Sequence, residues 1–220
     1  MPPLRAMLFD LDGTLLDTAP DMAGALNSLR LEHRLPPLPF EELRPVVSHG
    51  SSRLVKLGFP LAEAAEAAAL QQRFLGLYRA ALSGGTRLFP GMEQVLDVLA
   101  ARGLHAGVVT NKPGWLTEPL IDALGLRPRL AVVVSGDTVA QAKPSPLPLL
   151  HAAKLAGVAP EECIYVGDAE RDIQAAHAAG MPALIARYGY LHTADQPDAW
   201  GADGDVARPL DLLAWLPGVQ

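Results

Sequence analysis

Five short apolar runs limit what this chain can become: AMLFD (6–10), HAGVVT (105–110), LAVVVS (130–135), CIYVG (163–167) and PALIA (182–186). Between the later runs lie segments with helical spacing of apolar residues, such as 91–103 and 146–157, and Gly103 and Gly157 follow as helix stops. Strands alternating with helices predict an α/β fold with a parallel sheet covered on both faces.

The stretch from about 19 to 82 breaks that alternation. It holds no convincing strand, and its alanine-rich part reads as a helix with Leu70, Phe74, Leu77 and Ala81 on one face. Turn residues at 17–20 (DTAP) and 83–86 (SGGT) bracket it, and two chain crossings at one boundary predict a hinge. The expected organisation is therefore an α/β core over 1–16 and 86–220, with an all-helical insertion over 17–85.

Half of the 220 residues are hydrophobic and the net charge is only −6, which predicts an ordered core. The acidic balance argues against a nucleic-acid or anionic-membrane surface. Any anionic substrate must then be caught by a few local cations. Cys163 is the only cysteine, so no intrachain disulfide can form, and its apolar setting predicts an inert thiol. Asp10 and Asp12 interrupt the first apolar run, which excludes a signal-peptide core or a spanning helix there. A cytoplasmic location is expected. The oligomeric state is not legible.

In a parallel α/β sheet, ligands bind outside the carboxyl ends of the strands. The first run ends in Asp10 and Asp12, and the second in Thr110 and Asn111. The loop after the third carries Lys143, and the fourth leads into Asp168 and Asp172. Each alone reads as a cap, a turn residue or a solvated lysine. Together on one edge they suit phosphoryl transfer. Clustered carboxylates need a cation to stay ionised, and hard oxygen ligands suit Mg²⁺. Lys143 and the Thr110 hydroxyl can hold phosphate oxygens. Asp10 can attack phosphorus, while Asp12, two residues along an extended chain, can move protons to and from the reacting oxygens.

FDLDGT (9–14), VVTN (108–111), Lys143-Pro144 and GDAERD (167–172) occur in the order of the four motifs of haloacid dehalogenase-superfamily phosphatases, which the whole chain resembles. The resemblance implies a Rossmann-like core with a mobile helical cap. It implies Asp10 as nucleophile and metal ligand, and Asp12 as general acid/base that also binds Mg²⁺ through its backbone carbonyl. Thr110 and Lys143 would bind phosphate, Asp168 would ligate the metal, and Asp172 would support metal and lysine. Gly13 and Thr14 would shape the site, with Gly13 and Asn111 counted among the substrate-binding residues. Dehalogenases of the superfamily lack the second acid that Asp12 supplies, and the cap groups a sugar-phosphate mutase needs are not identifiable. Receiver domains of two-component signalling also accept phosphate on an aspartate, but they lack that second acid and a cap.

The expected substrate is a small phosphorylated metabolite. VVSHGSSRLV (46–55) resembles the cap segment of phosphoglycolate phosphatases. RYGYLHTADQPDAWGAD (187–203), taken with VVTNKPGWLTEPL (108–120), is most similar to N-acetylmuramic acid 6-phosphate phosphatases of cell-wall recycling. Both substrates carry a carboxylate, so an arginine reader is expected, with His49 and Arg53 as the cap candidates. Gly50, Ser51 and Ser52 would leave room for a sugar. Tyr188, Tyr190 and Trp200 fit either loop packing or ligand contact.

Overall fold

A computed structural model describes residues 3–217. Its six-stranded sheet comprises β1 (Ala6–Phe9), β4 (His105–Val109), β5 (Val132–Val134), β6 (Cys163–Gly167), β7 (Ala183–Ala186) and β8 (Gly204–Val206), ordered β5-β4-β1-β6-β7-β8. Every pairing in it is parallel. All five predicted runs are strands. The sixth, β8, was not predicted, because Gly204-Asp205-Val206 is short and half polar, as an edge strand can be.

Side-chain alternation along β1 shows why the sheet is covered twice. Met7 and Phe9 enter one apolar cluster, and Ala6 and Leu8 enter the other. The second layer is closed by α7 (Leu147–Ala156) and α8 (Glu170–Ala178). Gly157 ends α7 in a left-handed conformation, φ 68°, where a side chain would be strained. Cys163 packs in that layer, and burial, then the nearby Glu162 and Glu161, push its thiol up to about 11.

The first layer is closed by α5 (Met92–Ala101) and α6 (Gly114–Ala123), and it runs on without a break into the insertion. There α1 (Ala19–Glu32), α2 (Phe40–Leu43), α3 (Gly50–Gly58) and α4 (Ala64–Ala80) follow one another, with no strand between α1 and α4 among the described residues. The buried stripe of α4 is Leu70, Phe74 and Tyr78. Leu77 is only half-buried, and Ala81 falls beyond the end of the helix, so the expected face shifts toward Tyr78.

The two crossings form a paired ribbon. β2 (Leu16–Asp17) runs antiparallel to β3 (Arg87–Leu88). The buried Asp21 carboxylate accepts hydrogen bonds from Gly85 N at 2.6 Å, Thr86 N at 2.8 Å and Thr86 Oγ1 at 2.6 Å. The turn residues predicted there are thus tied to each other across the boundary. Among the described residues, no helix is long and apolar enough to cross a membrane.

Candidate active site

Because β1 lies between β4 and β6, residues leaving these three strands converge at one edge. Asp10 follows β1 directly, and its N–H still donates to Val166 O at 2.9 Å. Its Oδ1 accepts from Leu11 N at 2.7 Å and pairs with Lys143 Nζ at 3.0 Å. Oδ2 accepts no hydrogen bond among the described residues. Burial works to raise this carboxyl's pKa, but Lys143, Arg171 and the Leu11 N–H outweigh it and hold the pKa below the ordinary value.

Lys143 has a fully buried side chain. Its ammonium donates to Val109 O at 2.8 Å and to the Tyr165 hydroxyl at 2.6 Å, and it lies 2.8 Å from Asp172 Oδ1. The Asn111 amide holds the lysine's backbone at two points: Lys143 N donates to Oδ1 at 2.9 Å, and Nδ2 donates to Lys143 O at 2.8 Å. Thr110, also buried, accepts from Lys112 N at 3.1 Å.

Carboxylate oxygens of Asp10, Asp168 and Asp172 lie within 4.8 Å of one another. Burial, followed by the charges of Asp10 and Asp172, pushes Asp168 up to about 7. Burial likewise raises Asp172, against the pull of Lys143. Asp172 Oδ1, although close to Lys143, receives no well-directed hydrogen bond. Three buried carboxylates facing two cations leave an excess negative charge, and the oxygen-only donor set fits a hard divalent cation. These residues can hold a metal ion.

Glycine makes the cluster possible. Gly13 has φ 84°, and a Cβ there would meet Asp168 Oδ2 at 2.1 Å and Ser48 Oγ at 2.9 Å. From the helical side, Ser48 donates to Asp168 Oδ2 at 2.5 Å, and Tyr190 N donates to the same oxygen at 2.9 Å.

A cavity of about 290 Å³ opens over Asp10, Asp12 and Thr110, roofed by Ser48, Gly50 and Tyr78 of the insertion. Asp12 is held there by Lys112 Nζ, 2.8 Å from Oδ1 and 3.0 Å from Oδ2, and by Thr18 Oγ1 at 2.7 Å. Lys112 also lies 4.6 Å from the centre of the Tyr78 ring. It rests over the ring face, the buried Tyr78 hydroxyl has no well-directed partner among the described residues, and burial above all pushes it up to about 12.

Comparison with known proteins agrees with this arrangement. Residues 7–186 match the family described as haloacid dehalogenase-like hydrolase. The chain belongs to the haloacid dehalogenase-like hydrolases. It is 48% identical to a phosphoglycolate phosphatase of Xanthomonas campestris pv. campestris, across 97% of this chain and 96% of that protein. It is 40% identical to an N-acetylmuramic acid 6-phosphate phosphatase of Pseudomonas aeruginosa, across 96% and 93%. A solved structure from Haemophilus somnus 129pt, described as a predicted phosphoglycolate phosphatase, superposes with a TM-score of 0.86 at 28% identity, covering 98% and 99% of the two chains. This haloacid dehalogenase-like hydrolase is a phosphatase, and not a signalling receiver domain.

In this phosphatase Asp10, Asp12, Thr110, Asn111 and His49 all reach the cavity wall, and Lys143, Asp168 and Asp172 adjoin it. Other predicted residues take different places. The Asp12 carboxylate, expected to move protons and not to ligate the metal, is engaged by Lys112 and Thr18. Gly13 makes room for Asp168 and does not line the cavity. Asn111 touches the cavity, but its amide is taken up in orienting Lys143. Arg53 is exposed in an outer groove beside Lys56 and Leu57, because α3 buries Leu54, Val55 and Gly58 instead.

Tyr188 and Tyr190 are tied down by hydrogen bonds, and Tyr190 together with Trp200 also lines the chamber beside the cavity. The Tyr188 hydroxyl donates to Thr14 O at 3.0 Å, and that of Tyr190 donates to Asp17 Oδ1 at 2.6 Å. Sequence reasoning missed Lys112, Arg171, Ser48 and Arg44. Arg44 donates to Gly189 O and Tyr188 O, both at 3.2 Å, and lies over the Tyr190 ring. Lys112 and Arg171 sat beside or inside quoted motifs, so position was their signal. Ser48 lay inside the quoted cap segment 46–55, whereas Arg44 lay outside every quoted segment.

Proposed function

We propose that this phosphatase hydrolyses a phosphomonoester through an aspartyl-phosphate on Asp10, with Mg²⁺ as cofactor. The observation that carries the reading is the unequal state of the two Asp10 oxygens. Oδ1 is fixed by Leu11 and Lys143, while Oδ2 accepts no hydrogen bond among the described residues, and Asp10 forms part of the cavity wall.

Oδ2 attacks phosphorus as the ester P–O bond breaks, and Asp12 delivers a proton to the departing oxygen. Asp12 then takes a proton from a water molecule that attacks phosphorus as the Oδ2–P bond breaks, which gives inorganic phosphate, frees the Asp10 carboxylate and returns Asp12 to its protonated form. Thr110 and Lys143 hold the phosphoryl oxygens. Asp10, Asp168 and Asp172, with the Asp12 backbone carbonyl, would hold Mg²⁺, whose positive charge would let a phosphate approach a carboxylate. The helical insertion over 17–85 acts as a cap that excludes water during attack and opens for hydrolysis and release.

The substrate proposed is N-acetylmuramic acid 6-phosphate, which places the enzyme in cytoplasmic peptidoglycan recycling. The cavity, at about 290 Å³, exceeds what a two-carbon acid needs and reaches the lower end of the roughly 300–1,000 Å³ typical of small-molecule sites. Gly50 and Ser51 form part of its wall, and an adjoining chamber of about 490 Å³ extends it. Phosphoglycolate is the second reading, favoured by the name of the 48% identical relative.

The test is kcat/KM for both esters with Mg²⁺, repeated after chelation. We expect the sugar phosphate to be preferred, and EDTA to abolish turnover until Mg²⁺ is restored. A large preference for phosphoglycolate would replace the substrate assignment. Full activity after exhaustive chelation would remove the metal.

A further inference from the structure

Cations near the reacting edge differ in how far their donors are engaged. Lys143 meets Asp10, Asp172, Val109 O and Tyr165. Lys112 is taken up by Asp12. Arg171 differs: among the described residues its guanidinium makes no hydrogen bond, and its nearest ion-pair partner is Asp10 Oδ2 at 3.9 Å, beyond hydrogen-bond reach. Its side chain is only 25% exposed, so much of a charged fork stands out of water with its donors unengaged. Such a group calls for an anion.

Its position narrows which anion. Arg171 occupies the first turn of α8, next to the Asp172 that meets Lys143. It lines both the catalytic cavity and the adjoining chamber, and only Ser48 and His49 share that doorway. Burial above all moves the His49 ring toward its neutral form, despite Asp195. The doorway's dependable positive charge is therefore Arg171, which stands near Asp10 Oδ2 and also lines the adjoining chamber, where the rest of a bound ester has room to extend.

We infer that Arg171 is the specificity-determining residue that grips the substrate's carboxylate, the role expected of Arg53 from sequence. A planar fork of N–H donors matches a carboxylate through two parallel hydrogen bonds. Thr110 and Lys143 already serve the phosphoryl group. The inference rests on the proposed reading that the substrate is an acid as well as a phosphate ester.

The test uses two matched pairs on the Mg²⁺-loaded full chain: N-acetylmuramic acid 6-phosphate against N-acetylglucosamine 6-phosphate, and phosphoglycolate against ethyl phosphate. Within each pair only the first member carries a carboxylate. Wild type is expected to prefer the acidic member, and Arg171→Gln should shrink that preference by roughly ten- to a hundredfold, mostly through KM. Arg171→Lys should restore part of it, and the thermal midpoints of both variants verify folding. Binding of the products N-acetylmuramic acid and N-acetylglucosamine, followed by calorimetry, should show the same loss for the acidic sugar alone. Equal losses within both pairs would overturn the inference and make Arg171 a phosphoryl contact. A wild type indifferent to the carboxylate in both pairs, or an unchanged preference in Arg171→Gln, would also overturn it. A wild type that favours phosphoglycolate over the sugar removes only the substrate assignment, and the second pair still decides the arginine.

Discussion

On the sheet side of the cavity, Lys143 Nζ lies within 3.0 Å of four oxygens, whereas on the helical side the buried Tyr78 hydroxyl has no directed partner among the described residues. The sheet side is built from strand ends in register. Phe9 faces Val108 on one neighbour and Val166 on the other, so the residues that follow emerge together. The helical side meets the core through scattered side chains, among them Ser48 on Asp168, Arg44 on the 188–189 backbone, Thr18 on Asp12, and Tyr78 against Lys112. Chemistry common to a family needs the first kind of wall, because reacting groups must be held before substrate arrives. Selectivity needs polar atoms left for the ligand to complete, such as the Tyr78 hydroxyl on the helical side and the Arg171 guanidinium at the doorway.

The largest effect should come from the fixed wall. Asp10→Asn leaves the shape almost unchanged but removes the attacking carboxylate, so turnover should fall below ~10⁻³ of wild type with the fold intact. Single-turnover assays and circular dichroism check both halves. Wild-type-like turnover would show that the rigid wall does not hold the nucleophile.

A smaller loss is expected where the two walls join. Asp21 accepts three hydrogen bonds across the ribbon from Gly85 and Thr86, and its replacement by Ala strands those donors. Asp21→Ala should reduce unfolding free energy by about 2–4 kcal/mol, read from denaturant titration. A change near zero would mean that the crossing is open in solution and the insertion is less firmly attached than the fixed wall.

The smallest effect should lie on the helical wall itself. Tyr78→Phe removes a hydroxyl that has no protein partner, so stability should stay within about 1 kcal/mol of wild type or rise. If substrate completes that hydroxyl, kcat/KM should drop roughly two- to tenfold, the scale of one neutral hydrogen bond. A marked loss of stability would show that the hydroxyl is already engaged, and the contrast between the walls would weaken.

The same contrast explains what could be read in advance. Asp10, Asp12, Thr110 and Asp168 were legible because each sits at a strand end or in the loop after it, and strands announce themselves by apolar runs. Asp172 was legible from its fixed offset within the motif GDAERD. Arg53 was misplaced because a helix of nine residues has several faces, and only packing decides which one is buried. Leu54, Val55 and Gly58 occupy that face, with Gly58 so close to Leu26 that a Cβ would lie 2.9 Å from a leucine methyl.

The sequence by itself determined the α/β alternation, the helical insertion and the set of carboxylates with their lysine. Those features follow from local periodicity and from acids placed where strands must end. Tertiary structure alone decided that Gly13 would make room for Asp168, that Asn111 would orient Lys143, and that Arg171 would face Asp10 with its donors unengaged among the described residues. Such roles depend on contacts between residues distant in the chain, and no local pattern encodes the direction a side chain takes once the layers pack.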